Sequence, residues 1–286
     1  MKIAVLGATG LIGKPVTEQL IAAGYTVTIL ARNPEKVQAR FPTARIVRAD
    51  LRNPESLRTG LQHQQAVYLN LSVRQNEKPN EFHTETDGLK ILLAEARRAG
   101  IQRIGYLSSL VMRYQGLNGF RWWVFDVKHE AVRLLNESGI PTTIFYPSTF
   151  MESFSMQTQG PLLPLAGKSV APMWFVAGQD YGRQVARALQ LPGNQNREYV
   201  VQGPEAYTYE AGARLFVQQY AKRKLAIVNA PLGVLKLLGR FNPTINYGAH
   251  IVEALNNYPE RFEAEPTWAE LGPPTLTIGD YAWQAP

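Results

Sequence analysis

Three glycines near the start of the chain have the spacing of a phosphate-binding turn. Gly7, Gly10 and Gly13 lie in GATGLIG, between an apolar run and an amphipathic segment. In a strand, turn and helix of this kind the glycines permit the tight turn, the approach of a pyrophosphate and close helix packing, while the helix N-terminus supplies amide donors. The alternative is a purely structural turn. The residues predicted to contact a dinucleotide are Gly7, Thr9, Gly10, Leu11, Ile12 and Gly13.

The residue after the second predicted strand is basic, and its charge selects the form of the dinucleotide. An acid at this position would accept hydrogen bonds from a ribose 2′-hydroxyl, whereas a basic residue pairs with a 2′-phosphate. The chain has Arg32 here, and the next acid is Glu35. Arg32, assisted by Lys36, therefore favours NADP(H) as the cofactor. The alternative is a solvated arginine in a turn between strand and helix.

Asp50 and Leu51 end the third predicted strand. In folds with this order of elements, that position lies beside the adenine of the cofactor. We therefore include both residues in the predicted cofactor site. Asp50 has an equally good alternative role as the cap of a helix that begins near Pro54.

Lys128 interrupts the apolar face of a predicted helix. The residues that share its side of the helix are Val124, Val127, Ala131, Leu134 and Leu135. Because an unpaired ammonium is costly to bury, we expect Lys128 to meet a partner at a cleft, and the ribose hydroxyls of the cofactor are the candidate. The alternative is a lysine that extends its ammonium to water along an apolar surface.

The ends of the fifth and sixth predicted strands carry further candidates. Ser108 could hydrogen-bond a substrate carbonyl or the nicotinamide, although serines also end strands simply because they satisfy turns. Tyr146 and Pro147 are expected to line the nicotinamide end of the site. We therefore predict Lys128 and Ser108 as the catalytic residues.

The elements that would position these residues alternate between strand and helix over residues 1–150. The predicted strands are 3–6, 26–31, 46–48, 66–70, 103–108 and 142–146, and the predicted helices are 11–23, 54–61, 81–99 and 121–138. Such alternation is typical of βαβ units and an α/β fold with a parallel sheet. Ligands of such a sheet bind beyond the carboxyl ends of its strands.

After Phe150 the pattern loosens, with prolines, a predicted strand at 198–202 that returns to the main sheet, and predicted helices at 180–191, 209–222 and 247–257. We therefore predict a nucleotide-binding domain over residues 1–150 and a substrate lobe over 151–286, interleaved with it. Some apolar residues would either select a flat, apolar substrate or form the core of this lobe. They are Met151, Phe154, Met156, Met173, Trp174, Phe175 and the stretch 231–241.

The composition is that of an ordinary globular protein of 286 residues, 45% hydrophobic and 19% charged. The net charge of +7 would suit an anionic ligand, but the basic residues are dispersed and no nucleic-acid motif accompanies them. The absence of cysteine excludes disulfides and thiolate chemistry, and the four scattered histidines indicate no metal site. With no apolar run long enough for a membrane span and no signal-peptide pattern, we expect a cytoplasmic protein.

Several segments together resemble the NmrA-like group of atypical short-chain dehydrogenases/reductases. They are GATGLIG at 7–13, RADLRNPESL at 48–57, YLSSL at 106–110 and KHEAVRLLNESGIPTTIFYPSTFMESF at 128–154. The resemblance implies a Rossmann-type, doubly wound sheet with bound NADP(H), a small C-terminal substrate lobe, and Lys128 at the cofactor. Short-chain dehydrogenases generally carry a tyrosine four residues before this lysine, but this chain has Val124 there.

Two hypotheses follow from the residues and the resemblance. The first is an NADPH-dependent reductase that passes hydride to a quinone, an activated carbonyl or a conjugated double bond. The second is a non-catalytic NADP(H)-responsive sensor, regulator or assembly factor that acts through a protein partner. Val124 weakens a third possibility, sugar-nucleotide epimerisation, because valine donates no proton.

Overall fold

The computed structural model describes all residues from 1 to 286. The strands are β1 (Lys2–Leu6), β2 (Thr26–Ala31), β3 (Arg45–Arg48), β4 (Ala66–Leu69), β5 (Arg103–Leu107), β6 (Thr142–Pro147), β7 (Leu162–Ala166), β8 (Met173–Trp174), β9 (Arg197–Val201), β10 (Ala206–Tyr207) and β11 (Ala226–Ala230). The helices are α1 (Gly13–Ala22), α2 (Pro34–Gln38), α3 (Pro54–Leu61), α4 (Leu89–Arg98), α5 (Trp123–Asn136), α6 (Glu152–Gln157), α7 (Gly178–Gln190), α8 (Tyr209–Gln219), α9 (Leu232–Gly239), α10 (Pro243–Asn257), α11 (Glu265–Leu271) and α12 (Ile278–Gln284).

Seven parallel strands form the main sheet, in the order β3-β2-β1-β4-β5-β6-β9. Leu6 at the end of β1 pairs with Leu30 on one side and Leu69 on the other, so the carboxyl ends of these strands lie level. The direction of winding reverses between β1 and β4, and doubly wound sheets bind ligands in the crevice outside such a switch point. The predicted α/β class and the predicted return of a strand near residue 200, here β9, are both confirmed.

Helices cover both faces of this sheet. On one face, α1 and α7 bury residues such as Val16 and Val185. They approach closely at Gly182, where a Cβ would lie 3.0 Å from the Cα of Val16. On the other face, α3, α4 and α5 bury residues such as Leu57 and Leu135. The inner strands β1, β4, β5 and β6 are almost wholly buried, as expected for a parallel sheet between two helical layers.

A smaller lobe follows the main sheet and has its own aromatic core. Phe154 stacks on Phe175 and Phe216, with ring centroids 5.1 and 5.2 Å apart. Two small sheets, β7 with β11 and β8 with β10, belong to this part of the chain. Because α7 and β9 pack with the main sheet, the lobe is interleaved with it. The exact domain boundary near residue 150 stays a prediction.

Several elements differ from the sequence prediction. The helix predicted over 81–99 starts with a π-helical turn at Thr84–Gly88, where Asp87 Oδ2 accepts the His83 amide at 3.0 Å. The strands β7, β8, β10 and β11 and the helices α2, α6, α11 and α12 were not predicted, because segments this short show no full period of apolar residues. None of the helices combines the length and apolar composition that a membrane crossing requires.

Candidate cofactor-binding and active site

The glycine turn at the end of β1 has no room for side chains at Gly7 and Gly13 and little room at Gly10. Gly7 has a φ of +80°, and a Cβ there would lie 2.1 Å from the carbonyl oxygen of Asn70. A Cβ at Gly13 would lie 1.9 Å from the oxygen of Gly7, and one at Gly10 would lie 3.3 Å from it. Asn70, directly after β4, donates to the Gly7 oxygen at 3.3 Å. This asparagine, which joins the two sides of the switch point, was missed in the sequence.

The residues directly before α1 present free amides to the same crevice. No side chain caps this helix, and the amides of Leu11 and Ile12 have no hydrogen-bond partner. Thr9, Gly10 and Leu11 are exposed, whereas Ile12 is buried, so only its backbone can reach a ligand. Free amides at the positive end of a helix dipole attract anions. Since the glycines leave the backbone bare, the turn fits a pyrophosphate.

Three exposed cations without an ion-pair partner follow β2: Arg32, Lys36 and Arg40. The Nη1 atom of Arg40 donates to the carbonyl oxygen of Thr9 at 3.4 Å, which holds this guanidinium beside the glycine turn. Glu35, the acid nearest to Arg32 in the sequence, pairs with Arg48 at 2.9 Å instead. The charges after β2 are therefore free to meet a 2′-phosphate. Arg40 was missed, although its spacing of four residues from Lys36 signalled a shared face.

Asp50 does not cap the helix that follows it. The cap of α3 is Asn53, whose Oδ1 accepts the amides of Glu55 and Ser56 at 3.0 and 3.2 Å. Asp50 Oδ1 accepts the Arg52 amide at 2.9 Å and so stabilises the turn after β3. The capping alternative for Asp50 was therefore wrong. Its predicted place beside the adenine, and that of the buried Leu51, stay predictions.

Lys128 has a partner inside the protein. Its Nζ lies 2.8 Å from Oε1 of Glu85, a carboxylate that is fully buried in the π-helical turn before α4. The same Oε1 accepts the hydroxyl of Tyr106 at 2.7 Å, and Oε2 accepts the amide of Val73 at 3.1 Å. Only 14% of the Lys128 side chain is exposed, so the alternative of a lysine extended to water was wrong. The predicted contact with a cofactor ribose stays a prediction.

Tyrosines near Lys128 do not restore the usual proton donor. Val124 is buried one turn before the lysine. Burial, and after it the charge of Glu85, raises the pKa of Tyr106 well above its ordinary value, and its hydroxyl is engaged by Glu85. Tyr114 is also buried.

One phenol reaches this region from the second lobe. Tyr247 on α10 packs edge-on against Trp122, with ring centroids 4.9 Å apart. Burial, followed by the charge of Glu85, raises the pKa of Tyr247 to about 12, so the phenol stays protonated at neutral pH. Sequence reasoning missed Tyr247 because it lies far from Lys128 along the chain.

The residues at the ends of β5 and β6 are buried and already have partners. The hydroxyl of Ser108 donates to the sulfur of Met112 at 3.2 Å. The ring of Tyr146 lies under the guanidinium of Arg113 at 5.6 Å. Burial, and after it the nearby Glu198, raises the pKa of Tyr146. With Pro147, these residues line the carboxyl edge of the sheet, and their roles toward a ligand stay predictions.

A buried carboxyl was also missed in the sequence. Oε1 of Glu152 accepts the amide of Gly178 at 2.8 Å, while its Oε2 is buried without a partner. Burial raises the pKa of Glu152 to about 7, so the group titrates near neutral pH. Nothing in the sequence around it signals this environment, because Gly178 lies on a different helix.

Four of the apolar residues predicted for the second lobe form its core, whereas Met156 and most of the stretch 231–241 are exposed or only half-buried. Met151, Phe154, Met173 and Phe175 are all at most 3% exposed, which agrees with the alternative that they are structural. Trp174 is half-buried, and its ring lies 5.7 Å from that of Phe262, which is 40% exposed. This aromatic pair lies at the carboxyl edge, because the amide of Trp174 and the hydroxyl of Ser148 share the carboxylate of Glu260.

Comparisons with known proteins agree with this geometry. The sequence model of the NmrA-like family matches residues 1–270. A (4-alkanoyl-5-oxo-2,5-dihydrofuran-3-yl)methyl phosphate reductase from Streptomyces griseus is 30% identical over 211 residues, which cover 72% of this chain and 69% of that protein. The photosystem II assembly factor Ycf39 of Trieres chinensis is 26% identical over 260 residues, covering 89% of this chain and 80% of that protein.

A solved structure supports the fold. An NADPH-dependent quinone oxidoreductase from Escherichia coli, crystallised with NADPH, superposes with a TM-score of 0.73 at 22% identity, over 98% of each chain. At this level of identity the likeness concerns the Rossmann-type architecture.

Proposed function

This chain belongs to the NmrA-like family, and we propose that it is an NADPH-dependent reductase that transfers hydride to a quinone, an activated carbonyl or a conjugated double bond. The observation that carries the proposal is the bare glycine turn beneath the uncapped start of α1, with three free cations beside it. This arrangement suits a dinucleotide with an additional phosphate on its adenosine ribose.

The residues divide between the two halves of the cofactor according to the order of the sheet. Arg32, Lys36 and Arg40 follow β2 and would hold the 2′-phosphate, while the glycine turn would hold the pyrophosphate. Lys128 lies on α5, which packs on the β4 to β6 half of the sheet, and would hold the ribose of the nicotinamide half. Bound NADPH would supply the hydride.

The acceptor class follows from the groups around the lysine. Val124 cannot donate a proton, and Tyr106 gives its hydroxyl to Glu85. A substrate whose reduced oxygen needs little acid assistance, such as a quinone, therefore suits the site better than a simple ketone. The partly exposed pair of Trp174 and Phe262 supports a flat, apolar acceptor. Orientation of the acceptor against the cofactor would account for most of the rate.

A second function is favoured by the relative from Trieres chinensis, which is a photosystem II assembly factor. In that case the chain would bind NADP(H) without turnover and pass the state of its cofactor to a protein partner. The absence of a tyrosine before Lys128 agrees with this alternative as well, because a sensor needs the cofactor held but needs no proton donor.

Two measurements test these proposals. Calorimetric titration with NADPH and NADH should show binding of NADPH at least tenfold tighter, because only NADPH carries the 2′-phosphate. Oxidation of NADPH, followed by absorbance with a panel of quinones and simple ketones, should then show turnover with quinones. Binding without turnover would favour the sensor, and failure to bind NADPH would exclude both functions.

A further inference from the structure

Glu85 is a fully buried carboxylate whose oxygens are fixed by three different parts of the chain. Oε1 receives hydrogen bonds from Lys128 of α5 at 2.8 Å and from Tyr106 of β5 at 2.7 Å. Oε2 receives the backbone amide of Val73, in the segment after β4, at 3.1 Å. A carboxylate held from both sides in this way cannot rotate, so the direction in which it holds the lysine is fixed.

We propose that Glu85 is a positioning residue, which neutralises Lys128 and aims its ammonium at the ribose of the nicotinamide half of the cofactor. The inference rests on the proposed function, since it requires NADPH in the crevice. It assigns to Glu85 the task of preparing the lysine for hydrogen bonding, where other short-chain dehydrogenases use the lysine to lower the pKa of a tyrosine.

The charges explain why such a partner is needed. An ammonium with 14% of its side chain exposed loses most of its hydration, and a fully buried carboxylate directly beside it compensates this cost. Lysine has three N–H donors, and Glu85 takes only one of them. The other donors remain for hydroxyl groups at the carboxyl edge of the sheet.

The cluster also explains why the tyrosine could be lost. Because the positive charge of Lys128 is balanced by Glu85, little of it is left to acidify a phenol. The hydroxyl of Tyr106 donates a hydrogen bond to the carboxylate of Glu85, and the phenol stays protonated. The pair therefore serves binding and orientation, and its effect belongs to the nicotinamide half of the ligand.

The test compares two ligands across a double-mutant cycle. NADPH carries the nicotinamide half, whereas adenosine 2′,5′-bisphosphate lacks it and probes only the site around Arg32. Glu85→Gln should raise the Kd of NADPH about tenfold and leave that of the bisphosphate unchanged. Lys128→Met should do the same, and the double variant should match Lys128→Met alone, because Glu85 acts only through the lysine.

Two further variants keep the test decisive. Glu95→Gln removes another buried carboxylate, paired with Arg58 at 3.0 Å, and should change neither Kd. If Glu85→Gln does not fold, Tyr106→Phe, which removes one hydrogen bond to Glu85, should still weaken NADPH binding several-fold with the bisphosphate unaffected.

Equal affinity of wild type and Glu85→Gln for NADPH would overturn the inference but leave the proposed function standing. Additive losses in the double variant, or an equal loss for the bisphosphate, would also overturn it, because both would indicate a general structural role. Failure of the wild type to bind NADPH would remove the proposed function itself.

Discussion

Arg32 has no ion-pair partner, because the acid nearest to it in the sequence pairs with another arginine. Glu35 is only three residues away, but it pairs with Arg48 on β3, so no acid neutralises the guanidinium after β2. Arg40 is fixed differently, by its hydrogen bond to the carbonyl oxygen of Thr9. A phosphate placed between these groups would meet a double positive charge that has no competing anion in the protein.

Replacement of Arg32 by alanine should therefore weaken NADPH binding by about 1.5 to 3 kcal/mol, the usual value of a charge-assisted hydrogen bond. NADH, which has no 2′-phosphate, should bind equally well to both proteins. Isothermal titration calorimetry measures both affinities. The control is Arg45→Ala, at the amino end of β3, which should bind NADPH like wild type. An unchanged NADPH affinity would exclude Arg32 as the selector.

A second prediction concerns the lack of space for a side chain at Gly13. Gly13→Ala should lose NADPH binding and lower the free energy of unfolding by several kcal/mol, because the new Cβ would lie 1.9 Å from the oxygen of Gly7. Gly233→Ala in α9 is the matched control. Its Cβ meets nothing within 4 Å, so that variant should be as stable as wild type or slightly more stable. Chemical denaturation and calorimetry would measure both, and retained binding in Gly13→Ala would contradict the close turn.

The segment between β4 and α4 is held by a buried ion pair rather than by regular structure. His83 Nδ1 bonds Glu77, and its Nε2 lies 3.0 Å from the carbonyl oxygen of Pro79. The imidazole also packs on Trp123, with centroids 5.0 Å apart. Because Val73 of this segment holds Glu85, the histidine supports the environment of Lys128 from a distance.

The charges of this pair predict a dependence of stability on pH. Burial lowers the pKa of His83, but the hydrogen bonds to Glu77 and Pro79 and the charges of Glu77 and Asp87 outweigh it, so the pKa is raised above 6.5. Burial raises the pKa of Glu77, but the hydrogen bonds from His83 and Arg74 outweigh burial, so this pKa lies below 4.5. Both partners of the ion pair are therefore charged between pH 4.5 and pH 6.5. The pair is lost as the pH rises through the pKa of His83 in the folded protein, where the imidazole becomes neutral.

His83→Gln should accordingly destabilise the protein more at about pH 5.5 than at about pH 8.5. Urea denaturation of both proteins at each pH measures the difference. His63→Gln, at a position on the surface, is the control and should show no such dependence. An equal loss at both pH values would mean that packing on Trp123, rather than charge, accounts for the role of His83.

In the whole molecule, the two lobes meet through side chains that come from several elements. The carboxylate of Glu260, in the segment after α10, accepts the hydroxyl of Ser148 after β6 and the side-chain amide of Gln202 after β9, at 2.9 and 2.8 Å. Glu152 of α6 joins the start of α7, and a Cβ at Gly178 would lie 2.8 Å from both its Oε1 and Pro15 of α1. Carboxylates therefore hold the second lobe to the carboxyl edge of the sheet.

Substitution of the buried Glu152 by glutamine is expected to stabilise the protein above neutral pH. In the folded protein the pKa of Glu152 is about 7, above its ordinary value of 4.5. The folded state therefore favours the neutral carboxyl. Its contribution to stability is fully present below pH 4.5 and is lost as the pH rises through 7. Glu152→Gln should therefore stabilise the protein at about pH 8, by at most about 3 kcal/mol, and should have little effect at about pH 4.5.

Urea denaturation at the two pH values measures this gain. The control is Glu18→Gln, which removes an exposed carboxylate 3.8 Å from Lys14 and should change the stability little at either pH. If Glu152→Gln were less stable than wild type at about pH 8, the carboxylate would have to be stabilised in the folded protein by a partner that outweighs its burial.

The amino-acid sequence by itself determined the parallel sheet, the glycine turn and the position of Arg32 after β2. These features depend on neighbours in the chain: alternating strands and helices, glycines three residues apart, and a basic residue at the end of a strand. The sequence also marked Lys128, because a lysine in an apolar stripe requires a partner.

Only the tertiary structure decided which groups meet. Glu85 reaches Lys128 from another helix, Asn70 closes the glycine turn from β4, Tyr247 approaches from the second lobe, and Glu152 is buried against α7. No local spacing records these pairings, because residues distant in the chain are brought together by the packing of the sheet, its helices and the second lobe. The chemistry of the lysine therefore depends on a carboxylate that the sequence could not assign to it.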